Sequence, residues 1–197
     1  MLKRFVIGID LGGTNLKVAL ISLKYKILQK KALSTRNFIK KESLISAIIN
    51  AVNEIIRDKK ITRSELLGVG LGLPGPIDLK KGIVHFFPNI PGWKEVGLKK
   101  ILQKRLKVPI FLDNDANLMS LAESRIGAAR GLRNAVCLTL GTGVGGGIIL
   151  EGNLYRGSSF AAGEIGHMPI NENGPKSNCR VQACLQTYIG NKKIQNR

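Results

Sequence analysis

Asp10-Leu11-Gly12-Gly13-Thr14-Asn15 stands between an apolar run that begins at Phe5 and a second one, Leu16 to Leu23. Both flanks read as strands, so the six residues read as the turn of a β-hairpin. An acidic residue at a strand end, followed by two glycines and a hydroxyl, makes a small anion cradle. Glycines let backbone N–H groups come close to phosphate oxygens, and Thr14 adds a donor. Asp10 lies too near that cradle to hold phosphate itself; it suits a hydrated Mg²⁺ held between the carboxylate and the phosphates. The same residues also suit a plain tight hairpin with glycine at positive φ and Asp as a turn former.

Outward from this turn the first third of the chain reads β-β-β-α-β. A third strand is predicted near Lys26 to Ala32. Glu42 to Asp58 carries apolar residues at Leu44, Ile45, Ile48, Ile49, Val52, Ile55 and Ile56, the spacing of one helix face. Leu66 to Leu73 reads as a buried strand closed by Pro74-Gly75-Pro76, followed by a long loop with Phe86, Phe87 and Trp93. Leu98, Ile101, Leu102 and Leu106 mark a second helix, and Val108 to Leu112 a further strand. A helix capped at or near Asp115 runs through Gly127. Val136 to Leu140 and Gly147 to Leu150 are expected to pair as a hairpin across Gly141-Thr142-Gly143-Val144-Gly145-Gly146. The helix–strand alternation restarts after Leu112, so the expected lobes are residues 1–112 and 113–197.

The 197 residues carry 31 Lys+Arg against 13 Asp+Glu, a net charge of +18. The basic residues are spread in ones and twos, and aromatics make up 5% of the chain. Neither a basic tail nor an aromatic stacking platform is present, so a lysine-rich solvated surface is expected rather than a nucleic-acid partner. Such a field still attracts anionic substrates. Met1-Leu2-Lys3-Arg4 leads straight into a strand-like segment, and the longest uncharged run, Asn134 to Leu150, is too short and glycine-rich to span a bilayer. With Cys137, Cys179 and Cys184 as its only cysteines, the chain is expected in a reducing cytoplasm, away from membranes.

Three further clusters could carry chemistry. Leu140 to Gly147 is neither a dinucleotide fingerprint nor a Walker A loop, but its glycines offer backbone amides to an anion. Asp113-Asn114-Asp115-Ala116-Asn117 falls at a strand end and before a helix. Asp115 there could accept the proton of a hydroxyl attacking a γ-phosphate, or could be a plain helix cap. Gly163-Glu164-Ile165-Gly166-His167 precedes Cys179 and Cys184, and His167 with those two thiols is a partial zinc set with a fourth position open. Cys137, in an apolar strand, is most simply a small buried hydrophobe.

Taken together these stretches resemble the ROK family (repressor, open reading frame, kinase), and its bacterial glucokinase-type members in particular. Besides the first turn, Gly70-Leu71-Gly72-Leu73-Pro74-Gly75-Pro76-Ile77-Asp78 is similar to that family's segment between strands. Pro88-Asn89-Ile90-Pro91-Gly92-Trp93 is similar to "PNLPGW", and Asp113 to Asn117 to "E-N-D-A-N". Leu140 to Gly147 is similar to the second phosphate motif, and Gly163 to His167 to "G-E-x-G-H". The resemblance implies an α/β fold of the actin-like ATPase (ribonuclease H-like) type, here an N-terminal lobe plus an incomplete second lobe, with the active site in the cleft. It also implies an ATP-dependent phosphorylation of a hexose. Asp115 would be the base. Gly75, Asn89, Asn114, Glu164, His167 and Gln186 would hold the sugar. Asp10, Gly12, Gly13, Thr14, Thr142 and Gly143 would handle ATP phosphates and Mg²⁺. A non-catalytic sugar-binding or regulatory relative, or a decayed fragment, is the alternative reading. A DNA-binding repressor is disfavoured, because the first strand begins at Phe5 with no helix-turn-helix arm ahead of it.

Three departures bear on activity. The family's zinc segment reads "C-x-C-G-x-x-G-C-x-E", whereas this chain has Ser177-Asn178-Cys179-Arg180-Val181-Gln182-Ala183-Cys184-Leu185-Gln186. One cysteine has become Ser177, Arg180 and Ala183 stand in the glycine positions, and Gln186 replaces a sugar-binding glutamate. The second departure is that the chain stops after Tyr188-Ile189-Gly190-Asn191, where the family continues into its second lobe. The third is the ending, Lys192-Lys193-Ile194-Gln195-Asn196-Arg197, which has no apolar periodicity. A homodimer of the family type is therefore expected to be weakened. With one thiolate missing, zinc measured by atomic emission after dialysis is expected to be substoichiometric or absent, and Ser177→Cys is expected to raise it. One tightly held zinc per unmodified chain would contradict this reading.

Overall fold

The computed structural model describes residues 2, 4–35, 38, 40–87, 90, 92–141, 143–176 and 182–190. The chain divides into two compact units, Met1–Asp115 and Ala116–Arg197.

In the first unit, β1 (Phe5–Leu11), β2 (Asn15–Ser22) and β3 (Ile27–Ser34) form an antiparallel meander. Period-2 alternation sends Ile7, Ile9, Leu11, Leu16, Val18 and Leu20 to the buried face. α1 (Lys41–Asp58) follows and buries the stripe Leu44, Ile48, Val52, Ile55. Lys31 on β3 ties the helix to the sheet, reaching Glu54 at 2.8 Å and Asp58 at 3.0 Å. A 3-10 turn, Arg63–Glu65, leads into β4 (Leu66–Leu73), which returns parallel to β1. The stretch expected as one long loop holds a second, small sheet of β5 (Ile77–Asp78), β6 (Ile83–Phe86) and β7 (Lys94–Val96). These strands are too short for alternation to show in the sequence. Phe87 and Trp93 are buried beside that sheet with ring centroids 5.5 Å apart. α2 (Leu98–Leu106) then leads to β8 (Ile110–Asn114), which pairs parallel to β4. The main sheet has the order β3-β2-β1-β4-β8. Along β4, Val69, Leu71 and Leu73 enter the core, so the intervening Gly68, Gly70 and Gly72 fall on the other face.

The second unit starts within α3 (Asp115–Ile126), whose first residue closes the first unit. β9 (Ala135–Leu140), β10 (Val144–Leu150) and β11 (Asn153–Tyr155) form an antiparallel sheet of order β11-β10-β9. β10 begins at Val144, three residues earlier in the chain than the expected Gly147, so Gly145 and Gly146 join Gly147 in the strand and are not part of the turn. They are glycine because neighbours press on them. A Cβ on Gly145 would sit 3.0 Å from that of Ala116, one on Gly146 would sit 2.5 Å from the Gly163 carbonyl, and one on Gly147 would strike the Ser120 hydroxyl. Val136, Leu138 and Leu140 on β9 point away and are exposed. α4 (Gln186–Ile189) is a single turn near the end of the described residues. Among the described residues, no helix is long and apolar enough to cross a membrane.

Two outcomes follow from the first unit. Gly75 sits at φ +91°, and a Cβ there would lie 2.7 Å from the Phe86 carbonyl. Gly75→Ala is expected to cost about 1–3 kcal/mol in urea unfolding; an unchanged midpoint would show that the bend relaxes freely. Glu65, 7% exposed, accepts from the Thr62 backbone N–H at 3.0 Å and pairs with Arg4. The Thr62 N–H first, then the Arg4 guanidinium, hold its carboxyl below the ordinary 4.5. A depressed folded value means that this stabilisation is complete above the unfolded pKa and is lost as pH falls from 4.5 through the folded value. Glu65→Gln is therefore expected to flatten the acid side of the stability–pH curve below that point, while Arg4→Gln weakens the same feature only in part.

Candidate functional site

In an open sheet, the carboxyl ends of parallel strands are where ligand-binding residues collect. β1, β4 and β8 are adjacent and parallel, and their ends carry Asp10, then Leu73-Pro74-Gly75, then Asn114-Asp115. The register is direct: Asp10 pairs with Gly72, and Gly72 with Asp113. Asp10 and Asp113 thus flank a side-chain-free position on one face, roughly 10 Å apart at two strand spacings. Asp113, 5% exposed, accepts from the Asn114 N–H at 2.9 Å. Sequence reasoning did not single out Asp113 as a site residue, because only the β4–β8 register reveals that it shares a row with Asp10.

The first turn is closed by the Gly12 N–H donating to the Asn15 carbonyl at 2.9 Å. Gly12 is not in the left-handed region, so the positive-φ hairpin reading fails there, and a Cβ on it would lie 3.4 Å from the Asn15 carbonyl, an ordinary contact. Gly13 and Thr14 are exposed at the tip. Asp10 accepts from Lys17 Nζ at 3.1 Å, with side-chain exposures of 53% and 62%. A pair that wet is worth about 0–1 kcal/mol, so Lys17 can yield to a stronger cation. An exposed carboxylate beside a glycine turn is the donor type that would hold a hydrated Mg²⁺. Asn114 and Asp115 are half-buried, Asp115 as the first residue of α3. Gly75 is held at the bend beyond β4; Asn89 lies outside the described residues.

In the second unit, four of the expected residues come together. Gln186 Nε2 is 3.4 Å from His167 Nδ1, and His167 Nε2 is 3.6 Å from Glu164 Oε2. A Cβ on Gly143 would lie 2.8 Å from Gln186 Oε1. The imidazole thus stands between a carboxylate and an amide, with Glu164 55% and His167 41% exposed, an arrangement suited to ligand hydroxyls. The Gly141 N–H donates to the Gly143 carbonyl at 2.9 Å and closes the second turn; Thr142 lies outside the described residues. Gly145 to Gly147 are used in packing, so they are not available as a cradle.

The zinc set is less complete. Cys179, like Ser177, lies outside the described residues, and among the described residues no group of three possible ligands gathers. His167 and Cys184 are two donors where structural zinc takes four, so no chemistry is assigned to zinc. Cys184 is fully buried, bridged through its backbone to Pro169. Ala183 beside it has φ +51°, which accounts for the glycine that the resemblance implies at that position.

A glucokinase of Thermotoga maritima is 42% identical over 186 residues, 94% of this chain and 57% of that protein. A xylose repressor of Bacillus subtilis is 33% identical over 192 residues, 96% of this chain and 49% of the repressor. The solved structure of a ROK family glucokinase from Streptomyces griseus, in complex with glucose and AMPPNP, superposes with a TM-score of 0.83 at 32% identity, covering 98% of this chain and 59% of that one. The chain thus spans about half the length of the curated relatives it matches, and the fold is the actin-like ATPase fold of the ROK glucokinases. The ROK family profile matches residues 6–197, and the chain belongs to that family.

Proposed function

We propose that the protein acts as an ATP-dependent hexose kinase of glucokinase type. The observation that carries this reading is the row at the carboxyl ends of β1, β4 and β8, which sets Asp10, Gly75 and Asn114-Asp115 along one edge of the main sheet. The similarity to a glucokinase solved with glucose and AMPPNP supports it. In this reading Asp115 takes the proton from the attacking sugar hydroxyl. The new O–P bond forms as the γ-phosphorus leaves the β-phosphate oxygen, and ADP departs. Asn114, Gly75, Glu164, His167 and Gln186 hold sugar hydroxyls, while Gly12, Gly13, Thr14 and Gly143 approach the phosphates. Magnesium, when bound beside Asp10, would neutralise charge on the phosphates. A second reading, sugar binding without turnover, draws on the similarity to a xylose repressor and on Gln186, which keeps an acceptor but carries no charge.

A coupled ADP-release assay over glucose, fructose, allose, N-acetylglucosamine and N-acetylmannosamine separates the two. Sugar-dependent ADP release is expected; sugar binding by calorimetry with no release supports the second reading. Asp115→Asn preserves shape, and Asn caps helices about as well as Asp. It is expected to lower turnover roughly 10²–10⁴-fold while leaving sugar affinity nearly intact. A rate within about threefold of the parent, a barrier change under ~1 kcal/mol, would sink Asp115 as the base. If the chain alone is too slow, the same comparison is made in a fusion to the C-terminal remainder of the Thermotoga maritima glucokinase.

A further inference from the structure

The first unit also carries a groove of about 440 Å³, lined by α1, β7 and α2, that shares no residue with the proposed sugar or phosphate sites. Its volume lies in the range of small-molecule pockets, roughly 300–1,000 Å³. The floor is apolar. Ile49 and Val96, each 6% exposed, belong to the main core, and Ile101 is 37% exposed above them.

The rim is charged, and its charges are unequally matched. Glu95 faces His85, its carboxylate 2.7 Å from Nδ1, and Glu42 lies 3.9 Å from Lys41 Nζ. Lys94 and Arg105 complete the rim, and among the described residues neither forms an ion pair. Both acids on the rim therefore have partners, and two cations are left above an aliphatic floor. Glu95 also holds a left-handed backbone, φ +51°, uncommon for a residue with a long side chain and found where surrounding structure imposes it.

We propose that this groove binds a small amphipathic anion, an apolar chain or ring ending in a carboxylate or phosphate. The body would displace water from Ile49, Val96 and Ile101. The head would pair with Lys94 and with Arg105, whose planar fork accepts either oxyanion in bidentate fashion. The protein's net charge of +18 attracts any anion to its surface, so the floor is what makes this site selective for amphiphiles.

Calorimetry with octanoate, octyl phosphate, octanamide and inorganic phosphate tests the assignment. One of the two amphipathic anions is expected to bind at a single site at least tenfold more tightly than octanamide or inorganic phosphate, and the better of the two identifies the head group. The double charge reversal Lys94→Glu, Arg105→Glu is expected to weaken that binding at least tenfold. Gly97 lines the groove, its φ is −72°, and a Cβ there would meet nothing within 4 Å. Gly97→Leu therefore fills the groove without backbone strain and is expected to weaken binding by a similar factor. Amphipathic anions that bind no better than the two controls would overturn the proposal, as would binding that survives the charge reversal. Should Gly97→Leu fail to fold, the charge reversal, confined to exposed side chains, decides alone.

Discussion

The parallel pairing of β1 with β4 is the constraint on which the rest of the first unit depends. It sets Ile7, Ile9 and Leu11 beside Val69, Leu71 and Leu73 on the face that α1 and α2 cover. A slip of one residue would turn every one of these side chains to the opposite face. The same register puts Asp10 level with Gly72, and β8 adds Asp113 and Asn114 in the next places. Core and candidate site are thus two faces of one pairing: hydrophobic burial locks the register, and the register aligns the polar strand ends.

Glycine does two different jobs in this chain, and composition alone does not separate them. At Gly75 and Gly163 the backbone is left-handed, with φ +91° and +90°, and a side chain would be strained whatever the space around it. At Gly145, Gly146 and Gly147 the backbone is ordinary strand, and the missing side chain is what lets Ala116, Ser120 and the Gly163 carbonyl press close. A run that looks like a ligand loop is therefore mostly a packing surface.

How much was legible follows from the length scale of each signal. α1 shows seven buried apolar positions at helical spacing, and β4 eight residues of alternating glycine and aliphatic character, so both elements were placed from sequence within a residue or so. β5, β6 and β7, of two to four residues, carry too few side chains to show a period and read as loop. Motif residues such as Asp10, Asn114, Asp115, Glu164 and His167 stand out in the sequence because each belongs to an ordered set of short patterns. Asp113 and the Gly143–Gln186 approach do not, since both depend on which strands or turns become neighbours. The left-handed Ala183 links the two levels: the resemblance implies glycine there, and the backbone angle supplies the reason.

The sheet order also separates local pairings from distant ones. β1 and β2 join across a three-residue turn, and β3 adds to them locally, so the meander closes at little entropic cost. β1 meets β4 only after α1 has been traversed, a loop of roughly 55 residues whose closure must be met before its contacts repay it. In synthesis, the strand ends that complete the row with Asp10 follow it off the ribosome, with β4 and then β8. The row is complete only once β8 has paired with β4, so its alignment is set by contacts among aliphatic residues far from it in the chain.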